Sequence, residues 1–160
     1  MAEIKKVGFI GIGRMGYPMA GHIAKAGFEM IVADTNKEMV DKFVKEHGAS
    51  APKTLAELAK AADVVITMLP TSKIVRAVIL GDGKSDCVAA GLEKGKIVID
   101  SSTSDPVDTR SLGEELAKRG IDMLDAPVAG GVVFATDGSL DITVGGDAKL
   151  VEKCRPLFDA

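Results

Sequence analysis

Lys6-Val7-Gly8-Phe9-Ile10-Gly11-Ile12-Gly13-Arg14-Met15-Gly16 is the stretch from which the rest of the chain can be read. Lys6 to Ile10 is a short apolar strand candidate. Arg14 to Ala26 carries Met15, Met19, Ile23 and Ala26 at spacings of three to four, the period of a helix, and Gly27 stops it. Between the two lies G-x-G-x-x-G. A strand, a glycine turn and a helix in that order form the phosphate loop of a dinucleotide site. Gly11 permits the tight turn, Gly13 lets the backbone approach a pyrophosphate, and Gly16 lets helix pack closely on strand. With Ile12, Arg14 and Met15 they make a candidate cofactor-binding segment, in which first-turn N–H groups and the helix dipole hold the phosphate charge.

Working outward, Met30 to Ala33 is the next strand, and Asp34 stands at its end, 18 residues after Gly16. An acid about 20 residues past the glycines is the partner expected for the adenine ribose. A carboxylate there accepts from the ribose hydroxyls and repels a 2′-phosphate, so the pattern favours NAD over NADP. Lys37 is the one nearby cation that could reach a phosphate. The structural alternative for Asp34 is a cap before the helix that follows.

The alternation continues to the last residues. Lys37 to His47 reads as a helix stopped by Gly48, and Thr54 to Ala61 as a short helix with Thr54 and Glu57 in a capping-box pattern. Val64 to Leu69 is an apolar run suited to a strand buried on both faces. A helix over Ser72 to Leu80 and a glycine-rich, mostly loop segment from Gly81 to Gly95 follow. Ile97 to Ile99 is another buried strand, and Ser104-Asp105-Pro106 starts a helix on which Leu112 and Leu116 face inward. Ile121 to Leu124 and Leu140 to Val144 read as strands, and Asp147 caps a final helix. This order predicts an α/β fold, a doubly wound and mostly parallel sheet with helices on both faces, as in Rossmann domains.

Composition sets the bounds. A chain of 160 residues fits one dinucleotide-binding domain spanning 1–160 and leaves little room for a second. With 46% hydrophobic and 27% charged residues and a net charge of −3, it reads as an ordinary soluble globular protein. No basic patch points to nucleic acid, and no apolar run is long enough to span a bilayer. Cys87 and Cys154 fit no metal-ligand spacing and read as reduced cysteines. Neither a signal peptide nor a metal is expected, and the expected compartment is the cytoplasm.

Beyond the glycine loop, four segments carry a family resemblance. They are Gly8 to Ala20, Ile66-Thr67-Met68-Leu69-Pro70, Ile99-Asp100-Ser101-Ser102-Thr103, and Asp125-Ala126-Pro127-Val128-Ala129-Gly130-Gly131 with Gly138-Ser139-Leu140 and Val144-Gly145-Gly146 after it. In this order they resemble the β-hydroxyacid dehydrogenases, typified by 3-hydroxyisobutyrate dehydrogenase. The resemblance implies NAD as cofactor, with Leu69 and Pro70 near its ribose and nicotinamide end and Thr103 close to the nicotinamide. It implies substrate contacts at Ser102, Ala129, Gly130 and Gly131, where uncovered backbone N–H groups could hold a carboxylate. The plain alternative for Gly130-Gly131 is a flexible turn.

Two departures stand out. Ala129 replaces the family's usual serine, removing a hydroxyl that would bind the substrate's acid group. His22 replaces the usual asparagine in the first helix, and reads as a packing or surface variation. The resemblance also implies a catalytic lysine on a long helix beyond residue 160, followed by a helical substrate and dimerisation domain. The 160 residues are therefore expected to bind cofactor with little turnover, as a piece of a larger homo-oligomeric enzyme. Its substrate would be a small 3-hydroxy acid or its semialdehyde. An aldehyde-acid or imine reductase of the same superfamily and a stand-alone dinucleotide-binding module are the competing readings.

Overall fold

The computed structural model describes residues 3–160. Five strands, β1 (Lys6–Ile10), β2 (Glu29–Ala33), β3 (Val64–Thr67), β4 (Ile97–Asp100) and β5 (Asp122–Asp125), form one sheet in the order β2-β1-β3-β4-β5. Every pairing in it is parallel. At the β2 edge a single parallel bridge, Ile31 with Ser50, occupies the place of a further strand. At the β5 edge a single antiparallel bridge joins Asp125 to Gly145.

Side chains alternate across the sheet, as the period of two requires. Val7, Phe9, Val64, Ile66, Ile97 and Ile99 lie in one core with residues of α1 (Gly16–Lys25), α2 (Lys37–His47) and α7 (Ala148–Phe158). The intervening Ile10, Ile31, Val65 and Val98 face the other side. There they meet α3 (Leu55–Ala61), α4 (Ser72–Leu80), α5 (Pro106–Ala117) and a 3₁₀ turn at Val88–Ala90. The doubly wound reading of the sequence is the architecture found.

Five helices begin on a side-chain cap. Asn36, Thr54, Thr71, Asp105 and Asp147 accept from backbone N–H groups at the starts of α2, α3, α4, α5 and α7. Thr54 Oγ1 takes the Glu57 N–H at 3.1 Å, while Glu57 reaches back to the Lys53 N–H at 3.0 Å, one residue ahead of the usual capping-box partner.

Several boundaries differ from the expected ones, each for a local reason. α1 begins at Gly16 rather than Arg14; the Tyr17 N–H bond to the Gly13 carbonyl closes a turn over residues 14–16 that leads into it. β3 stops at Thr67; Met68 still donates to Ile10, but the Leu69 N–H turns to Ser102 Oγ at 2.8 Å. Ile121 donates back to Leu116, so β5 starts one residue later. The strand expected over Leu140 to Val144 shrinks to β7 (Asp141–Ile142), paired antiparallel with β6 (Val128–Ala129) outside the main sheet. A helix not foreseen from the sequence, α6 (Gly131–Asp137), lies between them.

Candidate functional site

The C-terminal ends of β1 and β3 diverge into connections on opposite faces of the sheet, and a groove of about 990 Å³ opens there. Gly11, Gly13, Asp34, Leu69 and Pro70 line it, together with Lys37, Asp41, Pro52, Lys53 and Asp86 farther along. Open α/β sheets bind ligands at such a switch point.

The three glycines have three separate physical reasons. Gly11 has φ +94°, and a Cβ there would stand 2.2 Å from the Met68 carbonyl oxygen. A Cβ on Gly16 would stand 1.8 Å from the Gly11 carbonyl oxygen. Both are required by the protein's own packing. A Cβ on Gly13 would meet nothing within 4 Å, so the space it leaves open faces outward. That opening leaves room for a group brought in from solvent.

α1 differs from the five capped helices. Its N-cap residue, Met15, makes no side-chain cap bond, and no acid lies in its first turn. An anion at that end would find N–H donors and the positive end of the dipole without competition from a carboxylate. Of the other loop residues, Arg14 is exposed at the turn and Met15 half-buried. Ile12 contributes differently: its side chain is fully buried, and its N–H donates to Asp34 Oδ2 at 2.8 Å.

Asp34 is held from two sides, since Oδ1 accepts from the Asn36 N–H, also at 2.8 Å. Each carboxylate oxygen keeps a further lone pair, so the group can still accept from ribose hydroxyls in the groove. The glycine loop and the acid at the end of β2 are thus tied by one hydrogen bond.

Deeper along the strand ends lies a buried polar hub. Asp100 accepts from Thr67 Oγ1 at 2.9 Å, the Ser102 N–H at 3.1 Å and Ser104 Oγ at 2.9 Å, so its burial is matched by donors. Ser102, expected at the substrate, is instead wholly buried, and its Oγ braces Leu69 on the groove wall. Thr103 is exposed beyond the end of β4. Next to the hub, burial and then the neighbouring Asp100 push the Asp125 carboxyl above the usual carboxylate range.

Ala129, Gly130 and Gly131 are exposed and lie outside the groove lining, at the junction of β6 and α6. Gly130 has φ +127° and Gly131 φ +74°, and Gly131 opens α6, so the pair starts a helix rather than forming a free turn. Asp86 was not foreseen as part of this region. Its carboxylate accepts the Leu55 and Ala56 N–H groups and so fixes the far wall beside α3; no short-range pattern joins residues 31 apart. Both cysteines are free, and no cluster of metal-ligating side chains occurs among the described residues. No helix among those residues is long and apolar enough to cross a membrane.

A glycine cradle at an uncapped helix, with an acid at the neighbouring strand end, defines a dinucleotide-binding α/β domain. Residues 6–160 match the family described as the NAD binding domain of 6-phosphogluconate dehydrogenase, and the chain belongs to it, as an N-terminal NAD-binding domain of the β-hydroxyacid dehydrogenase type. The chain is 43% identical over 157 residues to an NAD-dependent L-serine dehydrogenase of Pseudomonas aeruginosa, covering 98% of this chain and 51% of the relative. It is 38% identical over 154 residues to a 2-hydroxy-3-oxopropionate reductase of Escherichia coli, covering 96% and 51%. Its backbone superposes with a TM-score of 0.87 on a Mycobacterium tuberculosis 3-hydroxyisobutyrate dehydrogenase crystallised with L-serine, at 33% identity over 98% of this chain and 51% of that one. The chain spans about half the length of the curated relatives it matches.

Proposed function

We propose that this chain is the cofactor-binding part of an NAD-dependent dehydrogenase for a small 3-hydroxy acid, with NADH preferred over NADPH. The observation that carries the reading is the Asp34 carboxylate, pinned by the Ile12 and Asn36 N–H groups beside the groove. A fixed carboxylate at that point accepts from both ribose hydroxyls and repels a 2′-phosphate. When bound, the nicotinamide supplies the acceptor or donor of hydride.

The chain's own residues do the binding and orienting. Gly11 to Gly16 offer backbone N–H groups to the pyrophosphate, Leu69 and Pro70 wall the groove, and Thr103 stands toward the nicotinamide end. Ser102 acts through Leu69, holding its backbone in place. Ala129, Gly130 and Gly131 hold the substrate's acid group by backbone N–H, with no hydroxyl from Ala129 to help. L-Serine is itself a 3-hydroxy acid, and two of the similar proteins carry it in their names or titles. The reverse direction, reduction of an aldehyde acid, would use the same groups, as the reductase relative suggests.

A general acid for the alkoxide is not among these residues. We place it in the rest of a longer, homo-oligomeric cytoplasmic protein, in keeping with relatives about twice this length. Fluorescence titration tests the reading. NADH should bind at least about tenfold tighter than NADPH, Asp34→Ser should narrow that gap, and the chain alone should turn over 3-hydroxy acids at least about 100-fold below a whole enzyme. Tighter binding of NADPH would overturn it.

A further inference from the structure

The last turns of α1 and α6 meet at one side chain. His22, in the final turn of α1, places Nε2 3.0 Å from the Thr136 carbonyl oxygen near the end of α6. A carbonyl only accepts, so Nε2 carries the proton. The Gly138 and Ser139 N–H groups both bond the Phe134 carbonyl, which leaves the Thr136 carbonyl to His22. The ring also lies against the C-cap of α6. A Cβ on Gly138, which has φ +73°, would stand 3.1 Å from His22 Cε1.

α6 has little else to hold it. It is seven residues long, and Ala135 is the one side chain it buries; Val132, Val133 and Phe134 are 44%, 69% and 49% exposed. So short a helix has no stability of its own in water and depends on what ties it down. Its first residue continues the Ala129-Gly130-Gly131 turn.

We propose that His22 is a positioning residue: it latches α6 to the phosphate-binding helix α1 and so holds the Ala129–Gly131 turn where the substrate's acid group is bound. This rests on the reading of that turn given above. The bond joins the ends of the two uncapped helices whose starts carry the glycine turns, so cofactor cradle and substrate turn share one rigid support. The side chain touches neither ligand and acts through the α6 backbone.

Hydrogen exchange followed by mass spectrometry on this chain tests the latch, with and without saturating NADH. His22→Phe keeps a ring against Gly138 but has no donor, whereas His22→Gln carries an amide N–H at about the reach of Nε2. Peptides covering 131–139 should exchange at least about fivefold faster in His22→Phe, return to within about twofold of the unsubstituted chain in His22→Gln, and leave the NADH Kd within about twofold in both. Unchanged exchange in His22→Phe, or equal acceleration in His22→Gln, overturns the latch. So does equal acceleration throughout β1–β5, which would mark a general loss of stability. Failure of all three proteins to bind NADH would overturn the cofactor reading instead, while exchange in α6 would still report on the latch.

Discussion

Two glycine turns lead from the strand ends into helices without side-chain caps, and they are built by opposite means. Gly11 and Gly16 are crowded: an added methyl would run into backbone at 2.2 and 1.8 Å. Gly131 is open, with nothing within 4 Å of where a Cβ would sit, and only its φ of +74° asks for glycine. The first turn is dictated by packing within the sheet-and-helix core. The second is an exposed turn held by the short helix behind it, in which only Gly130 is crowded, by the Phe134 side chain at 2.9 Å rather than by backbone. Gly13 belongs to the first turn by position but is as open as Gly131, and the cofactor proposed above would use the space beside it.

Alanine at these glycines separates the causes. Gly16→Ala should have the largest effect: helix must move off strand, costing about 3 kcal/mol, which lowers Tm by roughly 10 °C and raises the NADH Kd by more than about 100-fold. Gly13→Ala should sharpen the contrast, leaving Tm within about 2 °C while weakening NADH at least about tenfold, since the methyl obstructs only the incoming pyrophosphate. A large loss of Tm in Gly13→Ala would show that the loop needs that glycine for its own folding. Gly131→Ala should have the smallest effect. An L-residue at positive φ costs about 1 kcal/mol, so Tm falls by about 3 °C while the NADH Kd stays within about twofold. Calorimetry and fluorescence titration on the same three samples read all of these.

The same contrast governs how much of the molecule was legible in the sequence. β1 to β4 stand out because each carries an apolar run buried on both faces, and the order of strands and helices leaves few topologies. The place of Asp34 on the groove is legible because it follows the glycines at a set distance, at the end of a strand. Its two backbone anchors are not, since Ile12 reads only as a filler of the glycine motif. α6 was missed for a physical reason: Val132, Val133 and Phe134 are apolar yet exposed, so no buried stripe marks the helical period. Leu140 to Val144 misleads in the opposite sense, with strand-like composition but only two residues paired. Ser102, expected at the substrate, is buried with its hydroxyl on the Leu69 N–H, 33 residues away, a contact no local pattern announces. His22, read as a packing variation, does pack, and the partner that gives the contact meaning lies 114 residues on.

The two single-residue bridges that end the sheet, Ser50 against β2 and Gly145 against β5, bear on how copies of this domain coexist at high concentration. A bare edge strand is a row of unpaired donors and acceptors that can template another chain. Here each edge is met by a backbone crossing that claims a pairing position and then leaves, so neither edge offers a continuous ladder to a neighbour. The parallel sheet that carries the cofactor groove is thereby interrupted at one position along each edge, which shortens the ladder another chain could extend.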